Sequence, residues 1–328
     1  MIPAKTKVLA LLSGGLDSTL AVKIMLEQGV AVEAAHFTTP FCLCDKCAVG
    51  YIGEKFAITV HHILLGQEFL DILANPPHGF GSQMNPCIDC RILMLKKAKE
   101  LAEKIGATCI VTGEVLDERP FSQRKNAMLS IERETGLEGA ILRPLSAKLL
   151  PETAIEKSGA VDRAKLLSIQ GRRRLPQMNL AKEYGIKDYP CPSGGCLLTD
   201  PQFAHRLHDF LKYTGKLELR DVILLKIGRH FRVDGLKVVV GRNEAENKML
   251  QSIAIREKKP CLEVVDYAGP VTLVDGDNDC SIEKAAQITV RYSDAPKNSE
   301  VNVRCTGDMP RSLLVRAANN HEVEQLRI

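Results

Sequence analysis

The sequence of 328 residues contains no tryptophan, and only 5% of it is aromatic. A long platform of rings for stacking unpaired bases is thereby excluded, so any nucleic-acid contact must rest on shape and phosphate charge. A strong charge of one sign is missing too: 44 Lys and Arg against 40 Asp and Glu leave a formal +4, too little for a histone-like tail. Long apolar runs are absent. Val8-Leu9-Ala10-Leu11-Leu12, after Lys5 and Lys7, is too short for a signal sequence or a membrane span, which places the expected site of action in the cytoplasm, away from membranes. No internal repeat or low-complexity tract is visible. With 45% hydrophobic and 26% charged residues, the composition is that of globular domains, and the length suits about two.

Cysteine is plentiful. Eleven of them in a chain without an export signal are poor candidates for structural disulfides and point to metal or thiol chemistry. Seven fall into three groups: Cys42, Cys44 and Cys47 within six residues; Cys87 and Cys90, three apart; and Cys191 with Cys196, separated by Pro-Ser-Gly-Gly. Cys261, Cys280 and Cys305 show no close spacing and read as structural.

Periodicity sets the architecture. Residues 6–12, 30–37, 58–65 and 107–112 read as strands. From Leu16 the apolar positions Leu16, Leu20 and Ile24 recur at helical spacing up to Gly29, and Ile88, Ile92, Leu95, Ala98, Ala102 and Ile105 do so up to Gly106. Strands alternating with helices predict an α/β fold, a doubly wound parallel sheet with ligands beyond the carboxyl ends of its strands. Near residue 200 the pattern changes. Residues 222–227, 231–233, 236–240 and 271–274 look like short strands separated by Asp234-Gly235, Gly241 and Asp275-Gly276 turns. A first domain over 1–200 and a second, smaller α+β domain over 201–328 are expected.

Between the first strand and the first helix stands Ser13-Gly14-Gly15-Leu16-Asp17-Ser18. A helix N-terminus offers unpaired N–H groups and the positive end of a dipole, and glycines let the backbone approach an anion. The bland alternative is a tight turn capped by Asp17 or Ser18. The hexapeptide resembles the PP-loop of the ATP pyrophosphatase superfamily. The resemblance implies cleavage of ATP between its α and β phosphates, with Ser13, Gly14, Gly15, Asp17, Ser18 and Thr19 as the pyrophosphate cradle and Asp17 organising Mg2+. It also implies adenine near His36 and Phe37. Thr112-Gly113-Glu114 resembles the Thr-Gly-His segment of tRNA-thiolating members, with Glu114 in place of the histidine, and Arg143-Pro144-Leu145 with Lys148 resembles their later Arg-Pro-Leu segment.

Cys87 and Cys90 open the predicted long helix, whose dipole is expected to depress their thiol pKa. The stretch from Asn85-Pro86-Cys87-Ile88-Asp89-Cys90 to Thr112-Gly113 resembles bacterial tRNA-uridine 2-thiolases, and Cys90 falls on their first functional cysteine. The segment from Gly195-Cys196 onward resembles the stretch carrying the second, which is Cys196. A related group of tRNA thiolases holds a 4Fe-4S cluster on a Cys-x-x-Cys pair and one distant cysteine; Cys87, Cys90 and either Cys191 or Cys196 would reproduce that set. The resemblance implies adenylation of a tRNA base carbonyl, followed by attack of sulfur from a cluster or from a Cys90 persulfide resolved by Cys196. Asp17, Cys90 and Cys196 are the catalytic candidates. Cys42, Cys44 and Cys47 read as a separate thiolate site, with Zn2+ the first guess and His61 or His62 a fourth ligand, or as solvent-facing loop thiols.

Arg163, Lys165, Arg172, Arg173 and Arg174 concentrate charge suited to RNA phosphates, or form an ordinary solvated face. In the second domain Val240-Gly241-Arg242-Asn243 with Asn247 resembles a segment of the NFACT-R family of RNA-binding domains, making Arg242 and Asn243 RNA-contact candidates. Expected partners are tRNA and a sulfur donor: a carrier protein, a cysteine desulfurase or free sulfide. The oligomeric state is not legible. Two other readings stay open: an amidating or nitrile-forming PP-loop ligase with structural zinc, and a nucleotide-responsive RNA-binding adaptor without catalysis.

Overall fold

Val8, Leu9 and Ala10 are buried on both sides of the chain, as the middle strand of a parallel sheet requires. The computed structural model describes residues 6–43, 46–187, 189, 195–276, 278–307 and 310–328, with backbone alone for 46–48. Cys44, Cys191 and the Cys47 side chain therefore lie outside the described residues.

The chain divides into two compact units, one ending at Pro201 and the other running from Gln202 to Ile328. In the first, β1 (Lys7–Leu11), α1 (Leu16–Glu27), β2 (Ala31–Thr38), α2 (Lys46–Phe56), β3 (Val60–Leu64) and α3 (Gln67–Ala74) come in turn. Then follow α4 (Cys87–Ile105), β4 (Cys109–Thr112), α5 (Lys125–Thr135), β5 (Ile141–Leu142), α6 (Ala154–Lys157) and α7 (Leu175–Glu183). All five strands are parallel, in the order β3-β2-β1-β4-β5. Winding runs outward from β1 through β2 to β3, then restarts at β4 on the other side of β1. The crevice between β1 and β4 is thus the topological switch point, where open α/β sheets bind ligands. α1 and α7 pack together, with α1 joining Val8 and Ala10 in one apolar cluster, while α4 lies against β1 and β4. α4 buries Leu95, Ala98 and Ala102 and ends at Gly106, whose φ of +70° suits glycine.

The second unit holds α8 (Pro201–Thr214), α9 (Leu219–Lys226), β6 (Arg229–Val233), β7 (Leu236–Val240), α10 (Glu244–Glu257) and β8 (Cys261–Val264). It continues with β9 (Thr272–Asp275), α11 (Asp279–Arg291), β10 (Val301–Thr306), β11 (Arg311–Val315) and α12 (Asn320–Leu326). Its six strands form a sheet of order β11-β10-β8-β9-β7-β6, antiparallel throughout. Of residues 222–227, expected as a strand, 222–226 belong to α9 and Ile227 is its extended C-cap. A capping box joins Glu218 and Asp221 and starts the helix, and Val222 and Leu225, three apart, supply its buried face. Among the described residues no helix is long and apolar enough to cross a membrane.

Candidate active site

The loop after β1 is built from its own hydroxyls. Gly14 has a φ of +82°, open to glycine at little cost, and turns the chain toward α1. The Ser13 amide donates to Ser18 Oγ at 3.2 Å, Ser18 Oγ donates to the Gly15 carbonyl at 2.9 Å, and Thr19 Oγ1 donates to the same carbonyl at 2.9 Å. These bonds fix the curve of the loop from within. No side chain caps α1, which leaves its first N–H groups available to an anion. From beneath, the His36 ring donates through Nδ1 to the Leu12 carbonyl at 2.9 Å and pins the residue that leads into the loop.

Gly113 closes the crevice from the β4 side. A Cβ placed there would stand 2.4 Å from the Ser18 amide nitrogen and 2.6 Å from Asp17 C, so only glycine lets β4 and the loop approach so closely. Glu114, where the resemblance leads to a histidine, is a buried anion between two guanidiniums: Arg91 at 3.0 Å and Arg143 at 2.9 Å. Arg143 also pairs with Glu132, and Thr112 Oγ1 donates to Glu114. Burial works to raise the Glu114 pKa, but the two arginines prevail and hold it below the usual carboxylate range. Its place is that of a buried strut joining β4, α4 and the Arg143 segment.

Asp17 projects from the first turn of α1. Burial, reinforced by the Glu118 carboxylate, raises its pKa to about 6 against the pull of Arg174. One oxygen pairs with Arg174, while Oδ1 is buried without a hydrogen-bond partner. Arg174 in turn reaches Glu118 at 2.7 Å. An orphaned carboxylate oxygen beside an anion cradle fits a cation carried with a triphosphate. Arg174, an RNA-contact candidate in the sequence, lies at the loop, where two carboxylates converge on its guanidinium. Arg172 and Arg173 remain exposed just before α7. Sequence offered no signal for the Arg174 contact, which joins residues 157 positions apart.

The cysteine groups converge. Cys42 and Cys196 face each other in an isolated antiparallel bridge, and the sulfurs of Cys42, Cys87 and Cys196 all act electrostatically on Cys90. Cys42 thus stands with Cys196 and Cys90. The bridge gives Cys42 a neighbour in Cys196, while Cys44 and the Cys47 side chain, grouped with it in the sequence, lie outside the described residues. Of His61 and His62, the two candidates for a fourth ligand there, His61 holds Glu33 at 2.8 Å. Asn85 donates to Cys87 Sγ at 3.1 Å and sets its rotamer. The expected depression of the Cys90 thiol by the α4 dipole is corrected: desolvation pushes it up to about 12, Arg91 opposing and the neighbouring sulfurs adding to the rise. Cys196 is likewise pushed up to about 11 by burial. Among the described residues no three Cys, His, Asp or Glu stand ready as a metal-ligand set. What converges is a group of soft thiols, the donor chemistry that iron–sulfur clusters use.

Arg119 connects the two halves. Its charge acts on both Asp17 in the loop and Cys196 in the thiol group, placing both within range of one guanidinium. A cleft of about 630 Å³ lined by Glu132, Arg143 and Glu156 lies apart from both.

With this geometry in view, residues 4–152 match the family model described as thiamine biosynthesis protein (ThiI), and residues 228–327 match that of the NFACT protein RNA binding domain. The chain resembles the tRNA sulfurtransferases. A probable tRNA sulfurtransferase of Thermoanaerobacter sp. strain X514 is 34% identical over 119 residues, covering 34% of this chain and 30% of the relative. One from Thermococcus kodakarensis is 28% identical over 192 residues, covering 54% and 44%. The matches thus span under half the length of these sulfurtransferases. The crystal structure of a 4-thiouridine synthetase–RNA complex with bound ATP is 22% identical, covering 67% of this chain and 52% of that one, with a TM-score of 0.35.

Within the NFACT-like segment the motif residues have internal work. Asn243 caps α10, its Oδ1 accepting from the Glu246 amide at 3.0 Å. Arg242, partly exposed, pairs with Glu246 at 2.5 Å. Asn247 accepts from the Val271 amide at 3.1 Å and lies so close to Gly241 that a Cβ there would touch its Oδ1. Much of the motif's chemistry holds the β7–α10 corner, leaving Arg242 as its outward charge.

Proposed function

We propose that this chain is an ATP-dependent tRNA sulfurtransferase that replaces a base carbonyl oxygen with sulfur. The observation that carries the reading is the shared neighbourhood of the phosphate loop and the thiol group, with Asp17 and Cys196 both within the field of Arg119.

ATP enters with its phosphates against the α1 N-terminus, and the Gly14-Gly15 backbone supplies donors placed before the reaction begins. Asp17 Oδ1 would hold Mg2+, which offsets charge as pyrophosphate leaves. Arg174, already paired with Asp17 and Glu118, is positioned to follow that charge. The base oxygen attacks the α phosphorus, breaking the α–β phosphoanhydride bond; the resulting adenylate makes the oxygen a leaving group. A sulfur nucleophile then attacks the same base carbon, and AMP departs with the oxygen.

Cys87, Cys90 and Cys196 would hold a 4Fe-4S cluster, which supplies a site for sulfide. The elevated pKa values of Cys90 and Cys196 suit that role better than free nucleophilic attack, since a neutral thiol is a poor nucleophile whereas a bound metal deprotonates it. The sulfur donor is external to the described residues. The second unit would hold the tRNA backbone, with Arg242 among its contacts, and Arg172 and Arg173 would add phosphate contacts on the first.

The test is the purified protein, reconstituted without oxygen with iron and sulfide, given ATP, Mg2+ and tRNA lacking thiolated bases. A thiolated nucleoside formed in step with AMP, and lost in Cys90→Ser, supports the reading. AMP formation without thiolation, in the presence of sulfide and tRNA, would overturn it.

A further inference from the structure

Cys42 has no part in the sulfur-transfer scheme, yet its surroundings are specific. The Leu43 amide donates to the Gly195 carbonyl at 3.0 Å, and the Leu197 amide donates to the Phe41 carbonyl at 2.9 Å. These two bonds flank Cys42 and Cys196, making them a non-hydrogen-bonded antiparallel pair. In such pairs the Cα atoms stand about 4.5 Å apart with side chains on the same face. That separation lies within the range that a disulfide spans, without backbone movement.

Two further observations hold the pair in place. The Cys42 sulfur accepts from the Thr39 amide at 3.5 Å and from Thr39 Oγ1 at 3.7 Å, so its rotamer is fixed by its own turn. On the other strand Gly195 lets the segments close: a Cβ there would come within 3.1 Å of Leu43 Cδ1. Both cysteines are partly accessible, and both are free thiols in the structure.

We propose that Cys42 and Cys196 form a reversible disulfide that withdraws Cys196 from the sulfur site. The pairing stands on the bridge alone; its consequence for activity rests on the sulfurtransferase reading. With a peroxide as the oxidant, the sulfur of Cys42 attacks one peroxide oxygen and becomes a sulfenic acid as the O–O bond breaks and water leaves. The sulfur of Cys196 then displaces the hydroxyl as a second water, forming the S–S bond. Two thiols have lost two electrons in total and the peroxide has gained them. A dithiol reductant reverses the step by two exchanges. Ligation of Cys196 by a cluster competes with this pairing, so the disulfide marks the cluster-free state.

The test uses the whole 328-residue chain, as purified and after iron chelation, oxidised with hydrogen peroxide, alkylated and mapped by peptide mass spectrometry. In the chelated wild type, Cys196 is expected mainly in a disulfide with Cys42 that dithiothreitol removes. The link should persist in Cys44→Ser and disappear in Cys42→Ser and Cys42→Ala, where Cys196 is recovered alkylated. Cys196 joined to Cys87, Cys90 or Cys44, or recovered as a free thiol in the chelated wild type, would overturn the pairing. A second arm measures tRNA thiolation before and after oxidation. Loss on oxidation and return with dithiothreitol supports the switch, and full activity in the linked protein refutes it. A protein that carries the link but thiolates nothing even when reduced and reconstituted would refute the sulfurtransferase reading and leave the pairing intact.

Discussion

Gly113→Ala is the smallest change that bears on the nucleotide site. The added Cβ would stand 2.4 Å from the Ser18 amide nitrogen and 2.6 Å from both Asp17 C and Ser18 Cα. Unstrained heavy-atom contacts fall near ~3.5 Å, so the loop must retreat by about 1 Å. All three obstructing atoms are backbone, so no side-chain rotation relieves the clash. Overpacking of this kind costs about 1–3 kcal/mol of stability. The functional loss should be larger in proportion, because the retreating atoms are those aimed at the phosphates, and a ~1 Å misplacement costs on the order of 100-fold in a positioned reaction. Titration calorimetry with Mg2+-ATP should show affinity weakened by about 10- to 100-fold, or ~1.4–2.8 kcal/mol. A control is Gly50→Ala in α2, where a Cβ meets nothing within 4 Å; it should leave binding unchanged and add about 0.5–1 kcal/mol of stability. If Gly113→Ala binds ATP as tightly as the parent, the loop does not hold the phosphates.

Three other outcomes are expected. Glu114→Gln leaves Arg143 and Arg91 without their buried anion and should destabilise the first unit by about 3–5 kcal/mol in denaturant unfolding; a loss under ~1 kcal/mol would show that the strut carries nothing. Lys237 is buried over the Phe210 ring with no hydrogen-bond partner at Nζ, and burial lowers its pKa from 10.5 to about 7. The unfolded chain binds the extra proton between those values, so the lysine costs stability at neutral pH and the cost fades as pH rises toward 10.5. Lys237→Met should therefore raise the unfolding midpoint of the second unit near pH 7, with a gain that shrinks by pH 10; a gain constant with pH would contradict the assigned burial. The Asp17 carboxyl, raised to about 6, is protonated below that pH, so Mg2+-dependent ATP binding should weaken as pH falls through 6 in the parent and lose that step in Asp17→Asn.

The first unit was legible because its signals are local. The apolar run ending at Ser13-Gly14-Gly15, the helical spacing before Gly106 and the alternation between strands and helices each belong to one element. The second unit was read less well. Residues 222–227 are apolar except for Lys226 and β-branched at the start, and so short a run is shared by strands and buried helices; the Glu218–Asp221 capping box decided it. In β10 the buried and exposed positions alternate strictly through Val301, Val303 and Cys305, a period-two signal that was present but passed over. At the site, the phosphate loop could be read from six contiguous residues. The association of Cys42 with Cys196 could not, because it comes from a tertiary bridge spanning 154 positions. The Cys90 prediction failed because a helix dipole acts weakly where burial removes solvent from the sulfur.

The most direct measurement is mass spectrometry of nucleosides from bulk tRNA in a strain lacking this gene, in its parent and in complemented strains. The account predicts the loss of one thiolated nucleoside, restored by the wild-type gene and left missing by Cys90→Ser and Asp17→Asn. An unchanged set of thiolated nucleosides in the deletion strain, with no second enzyme making the same product, would contradict it.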